Sequence, residues 1–145
     1  MRIIIANDHN GVAIKNKIKN YLVGLDHEII DLGSNDDKKV DYPDYAFAVG
    51  KSINSKESDL GILICGTGIG MSIACNKIKG VRCAKVSSVK EARLAKQHNN
   101  ANVIAIGSKM PFWITKKIIL TFITTSFSKE ERHIRRNGLI DNYHG

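Results

Sequence analysis

Arg2 to Ala6 is a short isoleucine-rich run that gives way to the turn-forming Asn7-Asp8-His9-Asn10-Gly11. Beyond it Ile14, Ile18, Tyr21, Leu22 and Leu25 recur at helical spacing, so the chain opens as strand, loop, helix. Glu28 to Leu32 reads as a second strand ending at Gly33. The polar stretch Ser34 to Asp41 is a loop closed by Pro43, a residue that suits the first turn of a helix, here one running to about Asn54. Gly61 to Cys65 is continuously apolar, as a strand buried on both faces should be. It feeds Gly66-Thr67-Gly68-Ile69-Gly70 and then a helical segment through Lys77. Val81 to Val86, Ser88 to Gln97, Val103 to Ile106 and Phe112 to Phe127 repeat the strand-helix alternation twice more. Ser128 and Glu131 stand at capping-box spacing and open a short terminal helix over about 128–142.

This alternation predicts an α/β fold: a five-stranded parallel sheet with helices on both faces, in three layers, joined by right-handed crossovers. Residues 1–145 read as one domain, without linker, internal repeat or low-complexity tract. Sheets of this kind bind ligands outside the carboxyl ends of their strands, where the chain order reverses. If the first and third strands are neighbours there, Asp8-His9 and Cys65-Gly66-Thr67 converge on one crevice.

Composition narrows the function. Hydrophobic residues make up 43% and charged residues 25%, the balance of a chain with a packed core. Cys65, Cys75 and Cys83 are an odd count without C-x-x-C spacing, which signals neither a disulfide framework nor a zinc cage and fits a reducing, cytoplasmic setting. Met1 to Ala6 lacks the parts of a signal peptide, and Phe112 to Phe127 is interrupted by Lys116 and Lys117 and too short to span a bilayer. The net charge of +8 suits an anionic partner: a nucleic acid, an acidic surface or a phosphorylated metabolite. Its basic residues are scattered, with one dense cluster at Arg132, His133, Arg135 and Arg136.

The chemistry-bearing candidates follow the strand ends. Glycines at 66, 68 and 70 let the backbone approach a ligand and turn free N–H groups toward negative charge, although glycines also serve tight strand-to-helix packing. The run matches neither a dinucleotide fingerprint nor a P-loop. Cys65 closes a strand just before a helix, a place that favours a nucleophilic or basic thiolate; its other reading is a small buried hydrophobe, the reading given to Cys75 and Cys83. Asp8 and His9 could move protons or bind hydroxyls, or Asp8 could simply cap the helix. His98 stands at a helix end before Asn99-Asn100, as a proton donor or a plain C-terminal histidine. Arg132 and Arg136, four apart on one helix face, suit a fork around a phosphate, or a solvated face on which Glu131 pairs with Arg135.

In order along the chain, Asp8-His9, Asp41-Tyr42-Pro43, the run Gly61 to Gly70, Asn76-Lys77, Gln97-His98-Asn99, Asn102-Val103 and Arg132 with Arg136 resemble the type B ribose-5-phosphate isomerases. The superfamily also includes galactose-6-phosphate and allose-6-phosphate isomerases. The resemblance implies a Rossmann-like homodimer, or a dimer of dimers, with shared active sites, acting in the pentose phosphate pathway without metal, cofactor, nucleic acid or membrane. In that reading His98, helped by Thr67, opens the furanose ring. Cys65 then carries the proton from C2 to C1 through a cis-enediolate held by N–H groups of Gly66, Gly68, Ile69 and Gly70. Asp8 manages the hydroxyl protons; Tyr42 and Asn99 contact the sugar; His9, Arg132 and Arg136 hold the phosphate. Members that lack the cysteine use a glutamate early in the next helix, where this chain has Met71. Lys109 stands where many members carry arginine, and Asn100 where aspartate is frequent. Two rival classes are a flavodoxin-like module cradling an FMN phosphate, and a basic nucleic-acid-binding domain, which would lack interleaved aromatics here.

Overall fold

In a computed structural model that describes residues 1–145, the apolar runs become β1 (Arg2–Asn7), β2 (Glu28–Asp31), β3 (Leu60–Cys65), β4 (Cys83–Lys85) and β5 (Val103–Gly107). The helices are α1 (Val12–Val23), α2 (Tyr42–Asn54), α3 (Ile69–Cys75), α4 (Val89–Asn99), α5 (Phe112–Thr124) and α6 (Glu131–Asp141). All strands are parallel, in the order β2-β1-β3-β5-β4. The expected α/β, Rossmann-like layering is present.

The two faces separate because strand side chains alternate. Ile3, Ile5, Ile62 and Ile64 point to one side, where Ile14, Ile18 and Leu22 of α1, Ala92 and Ala95 of α4, and Ile118, Ile119 and Phe122 of α5 cover them. Ile4, Ala6, Leu63 and Cys65 point to the other, under Ala46 and Val49 of α2 and Met71 and Ala74 of α3. β1 and β3 lie inside the sheet with both faces covered, which is why their sequences are runs and not alternations.

Helix ends follow local chemistry. α4 starts at Ser88, whose hydroxyl accepts from the Glu91 N–H at 3.1 Å, and it stops at Asn100 in the left-handed region at φ 43°. Two expectations need correction at the C-terminal end. α5 stops at Thr124, short of Phe127: the Thr124 and Thr125 hydroxyls donate back to the carbonyls of Leu120 (2.7 Å) and Thr121 (2.6 Å), and Thr125 then turns extended. The capping box does not form, because α6 begins after Glu130. Ser128 instead accepts from the Glu130 N–H at 3.3 Å and bonds His133 Nδ1 at 2.9 Å. Arg132 takes Glu130 as its carboxylate partner at 2.9 Å, and the Glu131–Arg135 pair of the alternative solvated-face reading does not form.

Parallel strands end at one edge of the sheet, and every crossover helix returns the chain to the other. α4 and α5 therefore both finish at the amino edge. α6 lies there, tied to the end of α4 by the Ser128 N–H on the Gln97 carbonyl (3.0 Å) and Asn137 Nδ2 on the His98 carbonyl (3.2 Å). Arg82, just ahead of β4, grips Asp141 of α6 at 2.7 Å.

Candidate active site

The carboxyl edge is built where β1 and β3 run side by side. The Asp8 N–H donates to the Ile64 carbonyl at 3.0 Å, carrying the ladder one residue past β1. The Asp8 carboxylate bends back onto Asn10, accepting from its N–H at 2.9 Å and its Nδ2 at 3.3 Å, so it makes an Asx turn and does not cap α1, whose N-cap is Gly11. His9 Nδ1 accepts from the Val40 N–H at 3.3 Å, which ties the long loop before α2 to the site.

Cys65 ends β3, buried, with its carbonyl held by the Ser108 N–H at 2.8 Å. Its Sγ accepts the Gly68 N–H at 3.1 Å. Thr67 Oγ1 accepts the Ile69 N–H at 3.1 Å, so two N–H groups of the glycine loop already face polar atoms of the loop itself. Gly68 must be glycine, since its φ is +79° and a Cβ would sit 2.9 Å from the Ile106 carbonyl carbon. At Gly70 a Cβ would come within 2.5 Å of the Tyr42 ring, which places Tyr42 against the loop from the start of α2. One edge thus gathers Asp8, His9, Tyr42, Cys65, Gly66, Thr67, Gly68, Ile69 and Gly70. Met71 is fully buried in the first turn of α3. Cys83 and Cys75 are both buried; a hydrogen bond from the Cys83 thiol to Cys75, then desolvation, holds the Cys83 thiol well above the usual thiol range, so it stays a core group.

Behind this edge lie two residues the sequence reading passed over. Asn7 is fully buried and donates Nδ2 to the carbonyls of Asp8 (2.7 Å) and Ser34 (3.0 Å). Lys15 is also fully buried, its Nζ on Asn35 Oδ1 (2.6 Å), the Ser34 carbonyl (3.0 Å) and Asp31 Oδ1 (3.1 Å). The available signal was a lysine beside Ile14 on the stripe completed by Ile18 and Leu22.

His98, Asn99, Arg132 and Arg136 do not join them. His98 occupies the last turn of α4, its ring over that of His133 with centroids 4.3 Å apart and planes 35° apart. Asn99 is exposed, its carbonyl accepting from Arg82 Nε at 2.9 Å, and Arg132 and Arg136 are exposed one turn apart on α6. All four stand at the amino edge, separated from Cys65 by the depth of the sheet. No three His, Cys, Asp or Glu side chains stand together as a metal would require, and no helix is long and apolar enough to cross a membrane.

Comparison with known proteins agrees with this architecture. The model of the ribose/galactose isomerase family matches residues 3–140. The solved ribose 5-phosphate isomerase of Thermotoga maritima superposes with a TM-score of 0.94 at 45% identity, covering 98% of both chains. The ribose-5-phosphate isomerase B of Mycoplasma genitalium, solved with bound ribulose-5-phosphate, superposes with a TM-score of 0.92 at 43% identity, covering 98% of this chain and 95% of that one. The galactose-6-phosphate isomerase subunit LacB of Clostridium acetobutylicum is 39% identical over 100% of this chain and 87% of its own. With the family model covering nearly the whole chain and the fold matching throughout, the chain belongs to the ribose/galactose isomerase family and is an aldose–ketose isomerase.

Proposed function

We propose that the chain interconverts ribose 5-phosphate and ribulose 5-phosphate through a cis-enediolate, with Cys65 as the base. The observation that carries this is Cys65 itself: a strand-end sulfur accepting the Gly68 N–H at 3.1 Å, beside Asp8 and Thr67, with the apolar Met71 in the next helix. An N–H aimed at sulfur stabilises the thiolate, the form that can take a proton. In this reading Cys65 removes the C2 proton of the open-chain aldose and returns it to C1, while Asp8 moves the proton between the C1 and C2 oxygens. Backbone donors of Gly66 to Gly70 hold the enediolate, the Gly68 and Ile69 N–H groups turning to it from Cys65 Sγ and Thr67 Oγ1 as the charge appears.

His98 and Thr67 act on the furanose ring, His98 giving the ring oxygen its proton. Because His98, Asn99, Arg132 and Arg136 sit at the opposite edge from Cys65, each complete site takes one carboxyl edge from one subunit and one amino edge from a second copy. His9, Arg132 and Arg136 then converge on the phosphate, and Tyr42 and Asn99 on the sugar. A twofold dimer satisfies both subunits equally.

A coupled assay across ribose 5-phosphate, galactose 6-phosphate and allose 6-phosphate tests the assignment. The expected result is turnover of ribose 5-phosphate with solvent deuterium entering at C1 or C2. Preference for galactose 6-phosphate would move the substrate toward that of the Clostridium acetobutylicum relative, and no exchange with any of the three would remove the isomerase chemistry.

A further inference from the structure

The amino edge contains a second histidine that the reaction above does not use. His133 is buried although its neighbours Arg132, Ile134, Arg135 and Arg136 on α6 are all exposed. One side of its ring is occupied by the His98 ring at 4.3 Å, and its Nδ1 bonds the Ser128 hydroxyl at 2.9 Å. The same short segment holds the His98 main chain, through Asn137 Nδ2 on the His98 carbonyl and the Ser128 N–H on the preceding carbonyl of Gln97.

A surface histidine at a helix end would normally sample several rotamers, because nothing restricts its χ angles. Here the backbone is held from α6 and the ring has a flat, fixed neighbour. That neighbour is itself immobilised by Ser128 and by burial. Burial first, and then the charges of His98, Arg132 and Arg136, hold His133 below the ordinary histidine range against the opposite pull of Glu130.

We propose that His133 is a positioning residue for His98, its stacked ring fixing the imidazole that serves ring opening at a second subunit's site. The inference rests on the reading of His98 as the group that donates to the ring oxygen. Opening breaks the bond between C1 and the ring oxygen; the C1 hydroxyl loses a proton and the ring oxygen gains one. Ribulose 5-phosphate has no such step, since the phosphate on its C5 oxygen prevents closure to a five-membered ring. Ring opening and carbon-bound proton transfer can therefore be read separately.

The experiment compares His133→Leu, which fills similar space without a flat ring, with His133→Phe, which keeps the flat ring and loses only the Ser128 bond. Two rates are measured at saturating substrate: turnover of ribose 5-phosphate, and wash-out of deuterium from C1-labelled ribulose 5-phosphate in ordinary water. His133→Leu should lower turnover of ribose 5-phosphate by about 100-fold, the cost of a misplaced catalytic group. Wash-out should stay within about threefold of wild type, and His133→Phe should recover most of the lost turnover. Equal loss of both rates in His133→Leu, unchanged turnover in it, or loss in His133→Phe as large as in His133→Leu would each overturn the inference. His98→Asn separates the two levels: normal ribose 5-phosphate turnover in it would remove the role of His98, whereas a ring-opening defect in His98→Asn without one in His133→Leu would remove only that of His133.

Discussion

At the scale of single residues the proposed chemistry concentrates on one sulfur. Cys65 has a donor on its sulfur, a carbonyl fixed by Ser108 and the buried, apolar Met71 in the first turn of the next helix. Replacing Cys65 by alanine removes the proposed base but no cation and no backbone donor. Cys65→Ala should therefore lose isomerisation and deuterium exchange by about three orders of magnitude or more while still binding sugar phosphate. Cys65→Ser should be almost as inactive, a hydroxyl being a far weaker base; calorimetric titration with ribose 5-phosphate beside the exchange assay separates binding from chemistry. The place of Cys65 at a strand end was legible in the sequence, since a cysteine closing an apolar run before a glycine loop is a local pattern. The buried Lys15 was not: the side chain is withdrawn from water only because Asp31, Ser34 and Asn35, remote in sequence, close around it.

Among the elements, α6 carries a histidine whose folded surroundings disfavour its proton. His133 is held below its ordinary range in the folded protein, so the unfolded chain takes up its proton first. The contribution of His133 is therefore complete above the unfolded value of about 6.5 and is lost as pH falls through the lower folded value. The groups facing it are His98 on α4 and Glu130, Arg132 and Arg136 around α6, and only Glu130 opposes the shift. Urea midpoints measured between pH 7.5 and about pH 5 should fall more steeply for wild type than for His133→Phe. Parallel curves would show that α6 docks independently of that proton. The existence of α6 was readable from its sequence, but its start was not, because the Ser128 hydroxyl serves His133 and the Glu130 N–H instead of a capping box.

On the scale of the whole molecule the proposal requires two half-sites, since the candidate residues fall on opposite edges of one sheet. α5 alone spans about 20 Å between those edges, too far for side chains to bridge. Mixing Cys65→Ala with His98→Asn, after dissociation and reassociation, should leave each heterodimer one intact site, so random pairing gives about a quarter of wild-type activity. Mixing His98→Asn with Arg132→Ala/Arg136→Ala should restore nothing, because these changes fall on the same edge. Restoration by the second pair, or failure of the first although heterodimers form, would show that the sites are assembled differently.

The sequence by itself determined the layers and the cluster of candidate residues at the carboxyl edge. Apolar periodicity assigns strands and helices locally, and a parallel strand always delivers its last residues to the ligand edge, so Asp8, Cys65 and the glycine loop could be placed together before any contact was known. What only the tertiary structure decided was that β5 lies between β3 and β4, that His98 shares the arginines' edge, and that α6 brings His133 onto His98. Those facts depend on how far each helix carries the chain back across the sheet and on contacts between segments 35 or more residues apart, such as Asn137 with His98 and Arg82 with Asp141. Residue type and spacing do not encode such meetings; the packing of the finished sheet creates them.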